Sequence, residues 1–239
     1  MTKPLIVITG ASSGIGAATA QAFAELDHPL LLLARRLDRL EDLKLPNALC
    51  RTVDVTDAQA VADAVTEAEY QHGPTDAIVN NAGVMLLGHI AAQAPAEWRT
   101  MFDVNVLGLL NGVHAVLPGM IERGRGTVIN VSSVAGRKGF PNHAVYGGTK
   151  FAVHAMSESL REEVAGKGVR VTTIAPGAVE TELLSHTTDE AIKADYQAWK
   201  EANDVLTAED VAAVIQFTYE QPQRVCVREV VLAATAQQA

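Results

Sequence analysis

Thr9-Gly10-Ala11-Ser12-Ser13-Gly14-Ile15-Gly16 follows the apolar run Leu5-Ile6-Val7-Ile8 and opens an Ala-rich helical pattern. A strand, a glycine-rich turn and a helix in that order aim backbone N–H groups at an anion, because the first turn of a helix leaves its donors without internal partners. The spacing is G-x-x-x-G-x-G, not the commoner G-x-G-x-x-G. Glycine-rich turns also serve purely structural ends, so the turn by itself leaves both readings open. The rest of the chain decides between them.

Seven short apolar runs read as strands: Leu5–Thr9, Leu30–Ala34, Ala48–Val53, Ala77–Asn80, Thr127–Val131, Arg170–Ile174 and Val230–Ala233. Helical patterns fill the intervals. Runs that are apolar at successive positions suit parallel strands covered on both faces. The alternation continues through 239 residues without a Pro/Gly/Ser-rich linker, an internal repeat or a low-complexity tract. It predicts one α/β domain over 1–239, a Rossmann-type doubly wound parallel sheet of about seven strands with helices on both faces. In such a sheet the ligand lies across the carboxyl ends of the strands, near the point where strand order reverses. Two segments carry capping-box signals for helix starts, Thr56-Asp57-Ala58-Gln59 and Thr207-Ala208-Glu209-Asp210.

Composition removes whole classes of function. Against 28 acidic residues stand 19 basic ones, a net charge of −9, with no long Lys/Arg cluster, which argues against a nucleic-acid partner. Cys50 and Cys226 lack metal-ligand or redox spacing and read as reduced cysteines, so no metal site is expected. The N-terminus is too short in apolar residues for a signal peptide, and no apolar run approaches the ~20 residues of a membrane span. The expectation is a cytoplasmic chain with no membrane partner.

The second strand ends Leu33-Ala34-Arg35-Arg36, where NAD-specific Rossmann proteins usually carry an acidic residue for the ribose 2′-OH. Arg35 and Arg36 suit a 2′-phosphate instead, through the fixed fork of guanidinium donors. They also fit a solvated helix start with Arg39. Asp54, at the end of the third strand, can accept from an adenine amino group or cap the turn before Thr56.

Tyr146-Gly147-Gly148-Thr149-Lys150 opens a helical pattern in which Tyr146, Lys150, Val153, Ser157, Leu160 and Val164 share a face. Tyr and Lys at i and i+4 sit one turn apart. An ammonium beside a phenol favours the phenolate, which predicts a pKa drawn from ~10 toward neutrality and a usable acid/base. In the helical pattern Glu97–Ile121 the stripe Trp98, Met101/Phe102, Asn105, Leu109, Val113 is apolar except at Asn105. A buried Asn needs partners: it bonds backbone carbonyls, or it holds a water that reaches the lysine.

These motifs, in this order, resemble the short-chain dehydrogenase/reductase family over almost the whole chain. The matching segments are Thr9–Gly16, Asp54-Val55, Asn80-Asn81-Ala82-Gly83, Asn105, Ser132-Ser133-Val134-Ala135-Gly136, Tyr146–Lys150 and Pro176-Gly177-Ala178-Val179-Glu180-Thr181. The resemblance implies an oxidoreductase with NADP(H) as cofactor. It gives Tyr146 as acid/base, Ser133 rather than Ser132 as holder of the substrate oxygen, Lys150 on the nicotinamide ribose and Asn105 on a proton-relay water. Hydride would pass between nicotinamide and substrate carbon while Tyr146 moves the proton. The implied cofactor residues are Gly10, Ser12, Ser13, Gly14, Ile15, Gly16, Arg35, Arg36, Asp54, Val55, Asn81, Ala82, Gly83, Tyr146, Lys150, Pro176, Gly177, Val179 and Thr181. The position before the middle glycine, basic in some NADP-binding relatives, is Ser13 here, which leaves the 2′-phosphate mainly to Arg35, with Ser12 and Arg36 beside it.

By the same resemblance the substrate, a small carbonyl compound or alcohol, meets Ser133, His143, Tyr146 and Leu183, with Leu86, Ala135, Val179, Leu184 and His186 around them and a lid over 183–203. Arg137 and Lys138 either offer positive potential to a carboxylate or form an exposed basic turn. Tyr196 and Trp199 either close over substrate or pack the lid helix. Ser133–Arg137 and Arg228-Glu229-Val230-Val231-Leu232 are similar to the bacterial branch acting on serine and related 3-hydroxy acids, which includes a clavulanic-acid-type aldehyde reductase. The family implies a homotetramer or homodimer, and Gly108, Gly112 and Ala155 would permit close approach of helices. The competing reading is a non-catalytic NADP(H)-sensing protein on the same fold.

Overall fold

The structure is a computed structural model and describes residues 3–237. The ends of the expected domain, residues 1–2 and 238–239, lie outside the described residues. Seven strands form one sheet: β1 (Leu5–Thr9), β2 (Leu30–Ala34), β3 (Ala48–Thr52), β4 (Thr75–Asn80), β5 (Gly126–Val131), β6 (Val169–Pro176) and β7 (Glu229–Leu232). All neighbours are parallel, in the order β3-β2-β1-β4-β5-β6-β7. The order reverses between β1 and β4, which places a crevice at their carboxyl ends. Strand β4 begins two residues before the expected Ala77, because Thr75 and Asp76 are buried despite their polarity. Asp76 accepts from the Arg125 guanidinium at 2.7 Å and the Tyr219 hydroxyl at 2.8 Å, and so its charge is compensated in the interior.

Successive residues of the inner strands feed opposite helix layers. Ile6, Ile8, Leu30 and Leu32 pack with Phe23 of α1 (Gly14–Glu25) and with Val211 and Ile215 of α8 (Ala208–Glu220). Leu5, Val7, Leu31 and Leu33 pack on the other side with Val61 of α3 (Ala58–His72), Val113 of α5 (Gly108–Arg123) and Val153 of α6 (Ala144–Val164). Burying such a side chain is worth roughly 1.5–3 kcal/mol, so alternate positions of each inner strand hold both layers in place.

Two short helices, α2 (Leu37–Glu41) and α4 (Pro95–Phe102), and α7 (Glu190–Ala202) complete the chain. The long helix expected around Glu97–Ile121 is interrupted: residues Asp103–Leu107 form a wider i→i+5 turn between α4 and α5, with Asn105 inside it. The helical path Pro95–Arg123 reaches a mean hydropathy of 1.5 in its most apolar window, but polar and charged residues interrupt it, so no uninterrupted apolar run arises. Here it packs on β4, α3 and α6. Gly108 and Gly112 lie on its buried side, against Val55 and Asn80, so they serve the interior and not approach to another chain.

Helix starts differ in their chemistry. Asp57 caps α3 by accepting from the Ala60 amide, Asp189 caps α7, and Thr207 with Asp210 makes the reciprocal box on α8. Thr56 is therefore not the cap expected for α3; its hydroxyl donates to Asp54 instead. Helices α1 and α6 begin at Ser13 and His143 without any side-chain cap.

Candidate active site

Gly10 adopts a left-handed φ of +66°, and a Cβ there would stand 2.8 Å from Ala82 Cα. A Cβ on Gly16 would stand 2.3 Å from the Gly10 carbonyl oxygen. The turn after β1 is thus pressed against the residues after β4. Asn81 Nδ2 donates to the carbonyls of Thr9 at 3.1 Å and Gly10 at 3.2 Å, and Thr9 Oγ1 accepts from the Asn81 and Ala82 amides. These bonds hold together the two strand ends between which the order reverses.

At one end of the crevice, Arg36 Nη2 donates to the hydroxyls of both Ser12 and Ser13, each at 3.1 Å. Arg36 and Arg39 also pair with Glu182, from the segment after β6. Arg36, more than Arg35, is the arginine joined to the glycine turn, although both line the crevice. Asp54 Oδ1 accepts from the Thr56 amide at 3.0 Å and its hydroxyl at 2.8 Å, so the turn-capping alternative is realised. Those bonds hold its carboxyl below the usual carboxylate range.

At the other end, Tyr146 and Lys150 share the buried face of α6. Lys150 Nζ donates to the Val131 carbonyl at 3.0 Å and lies 5.8 Å from the centre of the Tyr146 ring. Burial pushes Lys150 down to about 8. Burial also pushes the Tyr146 phenol up, opposed by a hydrogen bond with Ser133. The chain's own groups therefore do not produce the depressed tyrosine expected from sequence, because desolvation of a buried phenol outweighs an ammonium aimed at a carbonyl. Ser133 Oγ accepts from the Ala135 amide at 3.1 Å, while Ser132 turns inward and donates to the Lys150 carbonyl. Of the two serines, Ser133 is the one whose hydroxyl acts on the phenol, and both residues line the crevice.

Asn105 is fully engaged with the chain. Its Oδ1 accepts from the Val84 amide at 2.8 Å, and its Nδ2 donates to the Val84 carbonyl at 2.9 Å and to Thr149 Oγ1 at 3.1 Å. Bonds to the backbone are present, to an amide as well as to the carbonyl expected. Asn105 fastens the wall after β4 to α6.

The crevice encloses about 530 Å³. Every expected cofactor residue lines it except Gly16, which packs beneath the turn, and Asn105 stands behind the wall. Of the expected substrate neighbours, Ser133, Ala135, His143, Val179, Leu183, Leu184 and His186 line it; Leu86 does not, and Met85 takes that place. Arg137 pairs with Glu229 and Lys138 lies 5.5 Å over the Phe140 ring, both off the lining, which matches an exposed basic turn. Tyr196 and Trp199 do reach the cavity, with Tyr196 6.0 Å from the His143 ring. Burial pushes the His143 and His186 imidazoles down, favouring their neutral forms.

Among the polar lining residues that no motif singled out are Glu182, Lys200 and Gln237. Lys200 is buried and pairs with Glu180 at 2.9 Å, and Gln237 Oε1 accepts from the Ala178 amide. Each comes from a segment distant in sequence from its partner, and no local spacing signals it.

Residues 4–192 match the family model described as short chain dehydrogenase. The chain belongs to that family. Within it, the chain is 41% identical over 224 residues to a serine 3-dehydrogenase of Rhizobium radiobacter, covering 92% of this chain and 89% of that one. It is 43% identical over 240 residues to a glycine betaine reductase of Emericella nidulans, covering 97% of this chain but only 19% of that much longer protein. The closed form of a serine dehydrogenase complexed with NADP+ superposes with a TM-score of 0.92 at 32% identity, covering 98% of this chain and 96% of that one. The seven-stranded parallel sheet with helices on both sides is the architecture shared with this short chain dehydrogenase neighbour.

Proposed function

We propose that this short chain dehydrogenase is an NADP(H)-dependent oxidoreductase that interconverts a small alcohol, a short 3-hydroxy acid such as serine, with its carbonyl form. The observation that carries the reading is the meeting of Tyr146, Ser133 and Lys150 at one end of a crevice whose other end holds Arg35, Arg36, Ser12 and Ser13. A volume of about 530 Å³ and this donor set fit a 2′-phosphorylated dinucleotide: guanidinium and hydroxyl donors at one end, hydroxyl and ammonium groups at the other.

Arg36, Arg35, Ser12 and Ser13 would hold the 2′-phosphate, the first turn of α1 the pyrophosphate, Asp54 and Val55 the adenine, and Lys150 the far ribose. Asn81, Ala82 and Gly83 would form one wall, and Pro176, Gly177, Val179 and Thr181 the nicotinamide side. When bound, the nicotinamide supplies or accepts the hydride. Tyr146 Oη gives the proton to the developing alkoxide in reduction and removes it in oxidation, while the Ser133 hydroxyl orients the substrate oxygen. Charge on Lys150, drawn toward a bound ribose and the phenol, favours the phenolate against the burial that opposes it. Asn105 positions these groups by bracing residue 84 against α6.

His143 and Leu183 bound the substrate end, with α7 and the turn before it acting as a lid over 183–203 that brings Tyr196 and Trp199 to the mouth. The names of the relatives, a serine 3-dehydrogenase and a glycine betaine reductase, support a small substrate bearing a carboxylate. The chain is proposed to work as one domain in the cytoplasm, where its two free cysteines stay reduced. It assembles as a homotetramer or homodimer through exposed Phe102, Leu107, Leu110 and Phe151.

The test is nicotinamide absorbance with NADP+ or NAD+ against serine and 3-hydroxy acids, run alongside Tyr146→Phe. Wild type should turn over with the phosphorylated cofactor. The variant should keep nucleotide affinity and lose roughly 10²–10⁴-fold in turnover, the usual worth of a positioned acid/base. Full activity in Tyr146→Phe would remove the assigned role; tight NADPH binding without turnover on any substrate would favour a sensing protein.

A further inference from the structure

Glu182 directly follows the Thr181 that lines the nicotinamide side, and the mechanism above gives it no role. Its Oε2 accepts from Arg36 Nη1 at 3.1 Å and its Oε1 from Arg39 Nη1 at 2.5 Å. Arg36 spends its Nη2 on Ser12 and Ser13. One guanidinium thus ties together the glycine turn, the end of β2 and the segment after β6. The side chains are about half exposed, 43% for each arginine and 48% for Glu182, so the cluster is open to an incoming solute. A carboxylate spread over two guanidiniums makes the same demand on donors as a phosphate monoester.

We propose that Glu182 competes with the cofactor's 2′-phosphate for Arg36 and Arg39, so that a 2′-phosphorylated nucleotide displaces it and a nucleotide lacking that phosphate does not. This deepens the NADP(H) reading and rests on it. Glu182 opens the turn Glu182–His186, whose Leu183, Leu184 and His186 line the substrate end and which leads into α7. Displacing the carboxylate therefore unties the substrate wall from the nucleotide end. Glu182 is a positioning residue that sets both how much the 2′-phosphate is worth and when the lid segment is released.

The experiment is calorimetric titration of the full chain with adenosine 2′,5′-bisphosphate and with adenosine 5′-monophosphate, in wild type and Glu182→Gln. Glutamine keeps the shape and removes the charge. Exposed ion pairs are individually weak, so two of them set the expected gain at roughly three- to tenfold tighter bisphosphate binding, with monophosphate unchanged within about twofold. Hydrogen exchange over 187–203 should rise when bisphosphate is added to wild type, and should already be raised in Glu182→Gln without nucleotide. Unchanged or weaker bisphosphate binding in Glu182→Gln, while wild type still prefers bisphosphate, overturns the competition and leaves the cofactor reading intact. Equal tightening for both nucleotides, or exchange that does not respond, overturns it too. Equal wild-type affinity for the two nucleotides overturns the cofactor reading itself.

Discussion

Replacing Asn105 by Ala removes three buried hydrogen bonds at once and isolates what the i→i+5 turn contributes. Two of the bonds satisfy the amide and the carbonyl of Val84, a residue only 7% exposed. The third lets Thr149 Oγ1 accept, and Thr149 still donates to the Tyr146 carbonyl afterwards. A buried backbone group left without a partner costs about 1–3 kcal/mol, so the two Val84 groups together set a loss of roughly 2–6 kcal/mol. In a chain of this size each kcal/mol moves the melting temperature by about 2–4 °C, which predicts a fall of roughly 4–24 °C. Thermal unfolding followed by circular dichroism reads it directly. Turnover at a temperature where the variant is folded should fall as well, because residue 84 is part of the wall facing Tyr146. A fall under about 2 °C with unimpaired turnover would refute the reasoning, since it would mean that water replaces the side chain at no cost.

Gly16→Ala should abolish nucleotide binding or folding, because its Cβ would lie 2.3 Å from the Gly10 carbonyl; normal binding by calorimetry would contradict the packing described. Burial holds Lys150 near 8 when folded against 10.5 when unfolded, so the unfolded chain binds more protons between those values. The cost of burying the charge is complete below about 8, and stability should rise with pH across that window in wild type but not in Lys150→Met. Equal slopes of urea midpoint against pH in the two proteins would refute the assignment. Lys138→Ala should leave KM within about twofold, because the exposed side chain is itself off the cavity lining and only covers Phe140 from outside; a large rise in KM would return it to the substrate.

The sheet was legible because its inner strands are apolar at successive positions, and β1 and β2 begin and end where Leu5–Thr9 and Leu30–Ala34 predict. The start of β4 was not, since Thr75 and Asp76 look like turn residues until Arg125 and Tyr219 arrive from 49 and 143 positions away. Tyr146 and Lys150 could be named from local spacing, and Ser133 from the family resemblance, but the proton affinities of the tyrosine and the lysine depend on burial, which spacing does not encode. Asn105 stood out as the one polar residue on an apolar stripe; that it would sit in a widened turn and clamp Val84 needed three dimensions. Glycines 108 and 112 misled for the same reason, because a small residue does not announce which side of its helix is covered.

The pattern of helix caps has one more consequence. Helices α3, α7 and α8 finish their own first turns with an Asp or Thr, whereas α1, α2, α4 and α6 do not, and of these α1, α2 and α6 start at the crevice. A side-chain cap is typically worth about 1 kcal/mol, so the fold forgoes stabilisation at three helix starts where ligand groups would arrive. Ser13, the residue positioned to cap α1, has its hydroxyl drawn to Arg36. The incoming ligand then does the work of a structural residue, and occupancy should register first as resistance to heat and proteolysis at these helix ends. For a cell this couples the lifetime of the protein to the abundance of its own nucleotide.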